Sequence, residues 1–156
     1  MNAMKPEADY AQSTSDTRRF VVKYPIRFAH CDPAGIIFFP QYLVLFNALV
    51  EDWFNQGLQH SYADMLAKDF TGLPIVHLET DFRAITRMGE TVEFGLRVAK
   101  LGTRSLTLDV DCTAPDGQLR VSARKVLVFT DLRSHQAIAV PAAIRRAMEQ
   151  WMSSES

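Results

Sequence analysis

A chain of 156 residues and 17.6 kDa is long enough for one domain with a real hydrophobic core and too short for two of ordinary size. Apolar residues at 47% against 22% charged ones exclude a disordered chain. Lys plus Arg (17) nearly cancel Asp plus Glu (18), so no broad basic field exists, and neither nucleic acid nor a membrane is an expected partner.

Residues 1–17, MNAMKPEADYAQSTSDT, are polar and acidic, without the apolar segment of a secretory signal or a spanning helix. They are expected as a mobile tail of a cytoplasmic protein, ahead of a single domain at 18–152. Residues 19–29, RFVVKYPIRFA, mix β-branched and aromatic residues, and the interior Pro25 predicts an edge strand or a bulge. Then comes AHCDPAGIIFFPQY, residues 29–42, where an acid in a tight turn sits beside an apolar run.

Over 40–56 the spacing of Tyr42, Phe46, Leu49, Val50 and Trp53 predicts a helix, and Leu43, Leu45 and Phe54 widen its apolar surface until burial on most sides is expected. Pro40 suits a first helical turn and Gly57 a stop. A short helix is expected over 61–70. Four strands follow. In 74–85, Val76, Leu78, Thr80, Phe82 and Ala84 alternate with polar residues; Val92, Phe94, Leu96 and Val98 do so in 91–101, and Leu106, Leu108, Val110 and Cys112 in 105–113. In 119–129 the alternation holds to Ala123 and slips at Lys125 and Val126, which predicts a bulge there. Short connectors at 87–90, 102–104 and 115–117 predict antiparallel neighbours in a meander. A last helix over 141–152 is apolar at Ile144, Met148 and Trp151.

The fold class is therefore α+β, with the greasy helix 40–56 lying across one face of an antiparallel sheet. No internal repeat, Gly-rich phosphate loop, Gly-x-Ser-x-Gly elbow or dinucleotide fingerprint occurs. Cys31 and Cys112 lack the spacing of a metal knuckle or redox pair and are expected reduced. His30, His60, His77 and His135 show no ligand spacing, so no metal is expected.

Asp32 has two readings. Asp before Pro is an ordinary turn opener. Its neighbours point further: Gly35 permits close backbone approach, Phe38 and Phe39 supply an apolar wall, and the start of a helix leaves amide donors without intrahelical partners. Such donors favour negative charge, as an acyl-transfer intermediate requires, and a nearby carboxylate can act as nucleophile or as base for water.

HCDPAGIIFFPQY resembles the motif of the hot-dog-fold 4-hydroxybenzoyl-CoA thioesterases, with weaker similarity at GLPIV (72–76) and AIAVP (137–141), over roughly residues 18–145. The resemblance implies a long central helix wrapped by a curved antiparallel sheet, with a C-terminal helix. It implies acyl-CoA as substrate, no cofactor beyond the substrate's own coenzyme A, and a homodimer whose subunits share the site, dimers pairing into tetramers. Asp32 becomes the catalytic carboxylate and the Phe39 N–H the donor that polarises the carbonyl. Gly35, Phe38 and Tyr42 fall beside the substrate. Arg104, with Lys100 behind it, matches a region that supplies cations to the nucleotide, although Gly102 and Thr103 thin that region and Arg133 is a further candidate. Asn47 and Glu51, four apart, either satisfy each other or the dimer mate, or face the acyl pocket. There Asn47 would bond a substituent, or Glu51 would serve as the helix carboxylate of other hot-dog branches and displace Asp32. Phe38, Phe39, Tyr42 and Phe46 favour an aromatic or short acyl group. Two alternatives stand beside this reading: an enoyl-CoA hydratase on the same scaffold, and a non-catalytic acyl-CoA-binding protein.

Overall fold

Alternating apolar and polar residues place five strands in one antiparallel sheet, in a computed structural model that describes residues 17–152. The tail expected at 1–17 lies outside these residues apart from Thr17. Chain order is β1 (Phe20–Pro25), α1 (Pro40–Asp52), α2 (Tyr62–Ala67), β2 (Thr71–Gly72), β3 (Ile75–Phe82), β4 (Thr91–Leu101), β5 (Ser105–Thr113), β6 (Leu119–Val128), β7 (Thr130–Asp131) and α3 (Ala142–Glu149). The sheet runs β1-β4-β5-β6-β3, and β2 pairs with β7 in a separate two-stranded ribbon.

The core forms where the two periodicities meet. Val92, Phe94, Leu96 and Val98 of β4, with Leu106, Leu108, Val110 and Cys112 of β5, are all buried, as their alternation predicts. α1 lays Tyr42, Phe46, Leu49 and Val50 on that face, and the Phe46 ring meets Phe94 edge-on at 5.5 Å. The helical path continues as a π turn over Trp53–Gly57, where Trp53 packs edge-on against Trp151 at 6.3 Å. A Cβ at Gly57 would lie 2.7 Å from Trp53 Cδ1, so glycine lets the backbone pass the indole. α3 is shorter than 141–152, yet Ile144, Met148 and Trp151 are buried as expected.

Four expectations are corrected. First, Asn47 and Glu51 are not buried polar groups: with Val44, and Asn55 on the π turn beyond, they form an exposed stripe along a helix otherwise buried or half-buried. Second, the meander holds for β4-β5-β6 but not for β3, which pairs with β6 at the far edge. β3 ends at Phe82 rather than residue 85, so eight residues, not four, lead to Thr91. Eight residues reach about 26 Å, more than the roughly 14 Å of three strand spacings.

Third, β6 shows no slip at Lys125. Ala123, Lys125 and Leu127 all face inward, and the irregular registers lie elsewhere: on β6 at Arg120, which stands as the extra residue opposite Cys112 and Thr113, and on β3 at Val76. Fourth, the apolar face of β3 is uncovered: Val76 is 60% exposed, and Ile75, Leu78 and Phe82 are exposed with it. The strand has a neighbour on one side only.

Candidate active site

The signature segment is a compact reverse turn between β1 and α1. A 3-10 turn at Phe28–His30 comes first, with His30 Nδ1 accepting the Arg27 N–H at 3.0 Å, so His30 serves as a cap of that turn. The Gly35 N–H donates to the Asp32 carbonyl at 3.0 Å and the Asp32 N–H to the Ile36 carbonyl at 3.0 Å. Gly35 takes φ +76°, the left-handed region that favours glycine, while a Cβ there would meet no atom within 4 Å. Asp32 Oδ1 accepts the Ala34 N–H at 2.8 Å, which is the turn role that Asp before Pro suggests. Its Oδ2 accepts no hydrogen bond among the described residues.

The entrance of α1 leaves one donor open. Phe38 N–H donates to the His30 carbonyl, Ile37 N–H to the Thr86 carbonyl, and Gln41 N–H to the Phe38 carbonyl, at 3.0, 2.9 and 2.8 Å. Pro40 has no N–H. The Phe39 amide reaches no acceptor among the described residues. Phe39, 58% exposed, lines an apolar cavity of about 290 Å³ with Ile37, Tyr42, Phe82, Ile85 and Thr86. Its ring meets Phe82 edge-on at 6.0 Å and Phe38, itself exposed, at 5.5 Å. Asp32 and Gly35 are not in the cavity wall.

A network that sequence reasoning missed holds this region. Strict alternation would turn Arg120 outward; the bulge instead tucks it inside at 8% exposure, beneath the segment 83–90. Its Nη1 donates to the Ile85 carbonyl at 2.7 Å and to Thr86 Oγ1 at 3.2 Å, and its guanidinium takes the Glu90 carboxylate in two bonds of 3.0 and 3.1 Å. Hydrogen bonds from Arg120 hold the Glu90 carboxyl below the usual carboxylate range. Segment 83–90 then carries the signature: besides the Ile37 bond, Met88 N–H donates to the Gly35 carbonyl at 2.9 Å, and Tyr42 OH to Thr86 Oγ1 at 2.9 Å. The sequence carries no signal for it, because Arg120 falls in the polar phase of its strand, where a charge is ordinary.

Asn47 lies elsewhere. With Glu51, Tyr62, Leu73, Ile75 and Lys125 it lines a second cavity of about 530 Å³, beside the Ile75 end of β3. Asn47 and Glu51 do not bond each other; Asn47 Oδ1 accepts Lys125 Nζ at 3.2 Å. Lys125 is 1% exposed, and burial pushes its ammonium down to about 8. Below pH 8 both folded and unfolded chains carry this charge, so the folded state bears the whole desolvation cost; between about 8 and the usual lysine value the folded chain sheds the proton first and the cost fades. Lys125→Met, close in volume, is therefore expected to raise stability at pH 7 by on the order of 2 kcal/mol, with the gain shrinking above pH 8. Thermal melts across pH 6–10.5 check it.

The basic candidates stand apart from both cavities. Lys100 and Arg104 are exposed at the β4–β5 turn, and Arg133 is exposed with its guanidinium 4.7 Å over the Phe70 ring. Arg145, not singled out by sequence, donates from Nη2 to the Gly102 carbonyl at the same turn. His77 pairs with Glu79 at 2.7 Å on β3. Among the described residues no helix is long and apolar enough to cross a membrane.

Comparison with known proteins agrees with this architecture. Residues 26–148 match the model of the thioesterase-like superfamily. The 4-hydroxybenzoyl-CoA thioesterase of Pseudomonas sp. (strain CBS-3) is 26% identical over 132 residues, covering 80% of this chain and 94% of that protein. Slr0204, a 1,4-dihydroxy-2-naphthoyl-CoA thioesterase from Synechocystis, aligns with a TM-score of 0.77 at 21% identity, over 83% of this chain and 95% of that one. SAV2348 from Staphylococcus aureus, solved in complex with CoA, reaches a TM-score of 0.80 at 13% identity over 90% and 87%. At those identities the two structures speak for the fold alone. The family match takes in the Asp32 turn, α1 and every strand of the main sheet except β1, and by it the chain belongs to the thioesterase-like superfamily, with the hot-dog fold.

Proposed function

We propose that the chain hydrolyses acyl-CoA thioesters of aromatic or short acyl groups, with Asp32 acting as nucleophile or as base for water and the Phe39 N–H polarising the thioester carbonyl. The observation that carries this reading is the open amide of Phe39, a residue of the apolar cavity wall, at the helix entrance that directly follows the Asp32 turn. A fixed donor at the carbonyl oxygen lowers the barrier most where charge develops, as it does in the tetrahedral intermediate. Collapse of that intermediate breaks the C–S bond, and the thiolate leaves as coenzyme A and takes up a proton; in the base route the water oxygen is already on the acyl carbon, and in the nucleophile route a mixed anhydride with Asp32 forms, which water hydrolyses to the free acid and the Asp32 carboxylate. The rings of Phe39, Tyr42 and Phe82 suit a flat acyl group. Phe38 and Gly35 flank the approach, and Lys100 and Arg104 are proposed for the coenzyme A phosphates. The proposal needs no cofactor besides the coenzyme A of the substrate.

The working unit is proposed as a dimer, with dimers pairing into tetramers. Support comes from β3, an unpaired apolar edge of the kind that proteins rarely leave open. Antiparallel pairing of two β3 strands about a two-fold axis sets the Phe82 end of one beside the Ile75 end of the other. The Phe39 cavity of one copy then adjoins the Asn47 cavity of the second, and the two make one longer site. Leu78→Glu, which brings carboxylates face to face near that axis, is expected to give a monomer by sedimentation and to cut turnover at least about tenfold; a dimer of full activity would reject the pairing.

A thiol-release screen of aryl, short and long acyl-CoA tests the activity. Release from aryl or short thioesters is expected. Loss of the double bond of crotonyl-CoA without thiol release would favour the hydratase, and tight binding without release the non-catalytic alternative.

A further inference from the structure

We propose that Lys125 makes the cavity at the Ile75 end of β3 a receptor for a carboxylate at the far end of the acyl group. This rests on the thioesterase reading above and names the acyl class.

Lys125 is a buried cation whose charge no carboxylate answers among the described residues. Lys125 sits in the inward phase of β6 between Ala123 and Leu127, opposite Leu108 of β5 and Leu78 of β3. An ammonium has three N–H donors, and here one is used, by Asn47 Oδ1. Among the described residues no carboxylate lies within ion-pair distance of it. A buried charge without a counter-charge is costly, and apolar side chains of similar volume would fill the position at less cost. A ligand that brings the missing negative charge accounts for the arrangement.

The surroundings suit that ligand. With its oxygen turned to Lys125, the Asn47 side chain has its amide N–H groups left to donate, and they reach no acceptor among the described residues; neither does the Tyr62 hydroxyl. Three kinds of donor thus border one cavity whose remaining wall includes Val50, Leu73 and Leu127. Glu51 is the one acid in the wall; it is exposed and makes no ion pair with Lys125, while burial, and after it the Glu51 charge, raises the Tyr62 hydroxyl and keeps it a donor. In the β3-paired dimer this cavity adjoins the Phe39 cavity of the other copy. An acyl group whose carbonyl meets Phe39 would extend its far end toward Lys125, and an aryl ring with a charged para substituent has the right shape.

The test compares thiol release from benzoyl-CoA and from 4-carboxybenzoyl-CoA in wild type, Lys125→Met and Lys125→Arg. Wild type is expected to favour the carboxylated substrate in kcat/KM by at least about tenfold, the scale of a charge-assisted hydrogen bond. Lys125→Met is expected to lose that preference and Lys125→Arg to keep most of it. The ratio is taken within each protein, so loss of folded enzyme cancels. Should Lys125→Met fail to fold, Asn47→Asp, at an exposed position, gives Lys125 a built-in carboxylate and is expected to erase the preference. A wild-type ratio near one, or a ratio unchanged in these variants, overturns the proposal. If wild type cleaves no thioester at all, the thioesterase reading fails instead, and calorimetry with terephthalate decides the anion site. Binding to wild type that weakens at least about tenfold in Lys125→Met supports it; no binding, or equal binding, overturns it.

Discussion

Asp32→Asn is expected to reduce thioester turnover at least about a hundredfold while leaving melting temperature and oligomeric state unchanged. The structural half of this expectation follows from the turn. Asp32 acts on the fold through Oδ1, which accepts the Ala34 N–H, and an asparagine side-chain oxygen accepts the same bond in the same turn. What the substitution removes is the negative charge and the basicity of the free Oδ2. Loss of activity at constant stability therefore isolates chemistry from architecture, which Asp32→Ala would not do. Near-normal turnover in Asp32→Asn would move the reaction elsewhere, and Glu51→Gln in the same assay asks whether it has moved to the helix carboxylate.

The second large effect concerns stability. Arg120→Met strands the Glu90 carboxylate, the Ile85 carbonyl and Thr86 Oγ1 at once. Breaking a buried pair by deleting one partner costs about 3 kcal/mol here, the lower end of the usual range because Glu90 is partly exposed, or close to 10 °C in Tm. Arg120→Lys is expected to recover little, since a single ammonium cannot reproduce the two-bond fork. Denaturant melts of both variants measure it. The loss should reach the active site as well, because Ile85 and Thr86 wall the Phe39 cavity and the segment they belong to holds Gly35 and Ile37. Acid weakens the same pair. The Glu90 carboxyl is held below its usual range in the folded chain, so its stabilisation is complete above that range and disappears as pH falls through the lowered folded value. Glu90→Gln is therefore expected to flatten the acid limb of the stability curve.

Part of the local structure around Asp32 is legible in the sequence. Asp32, Gly35 and the Phe38-Phe39-Pro40 helix entrance follow one another in the chain, so the turn and the helix start could be read locally, whereas the choice of the Phe39 amide came from the family resemblance. Asn47 and Glu51 share one helix face, as their spacing implied, but the Lys125 partner of Asn47 was not legible. Lys125 looked like a break in the alternation of β6, when it is the inward residue of an unbroken one, and the true irregularity sits at Arg120. A cation in an apolar register mimics a phase slip, because periodicity records residue type and not where a side chain finds its partner.

What the amino-acid order determined by itself is the local structure: which segments alternate, where α1 begins, and that an acid precedes its entrance by one tight turn. These depend on propensities and hydrogen bonds within a few residues. Which strand lies beside which, the burial of Arg120 under a crossing segment and of Lys125 beside Asn47, and the bare edge of β3 were decided only by the tertiary structure. Each joins residues distant in the chain, and such pairings are chosen by the packing of the whole sheet against α1, a sum of contacts that no single window contains.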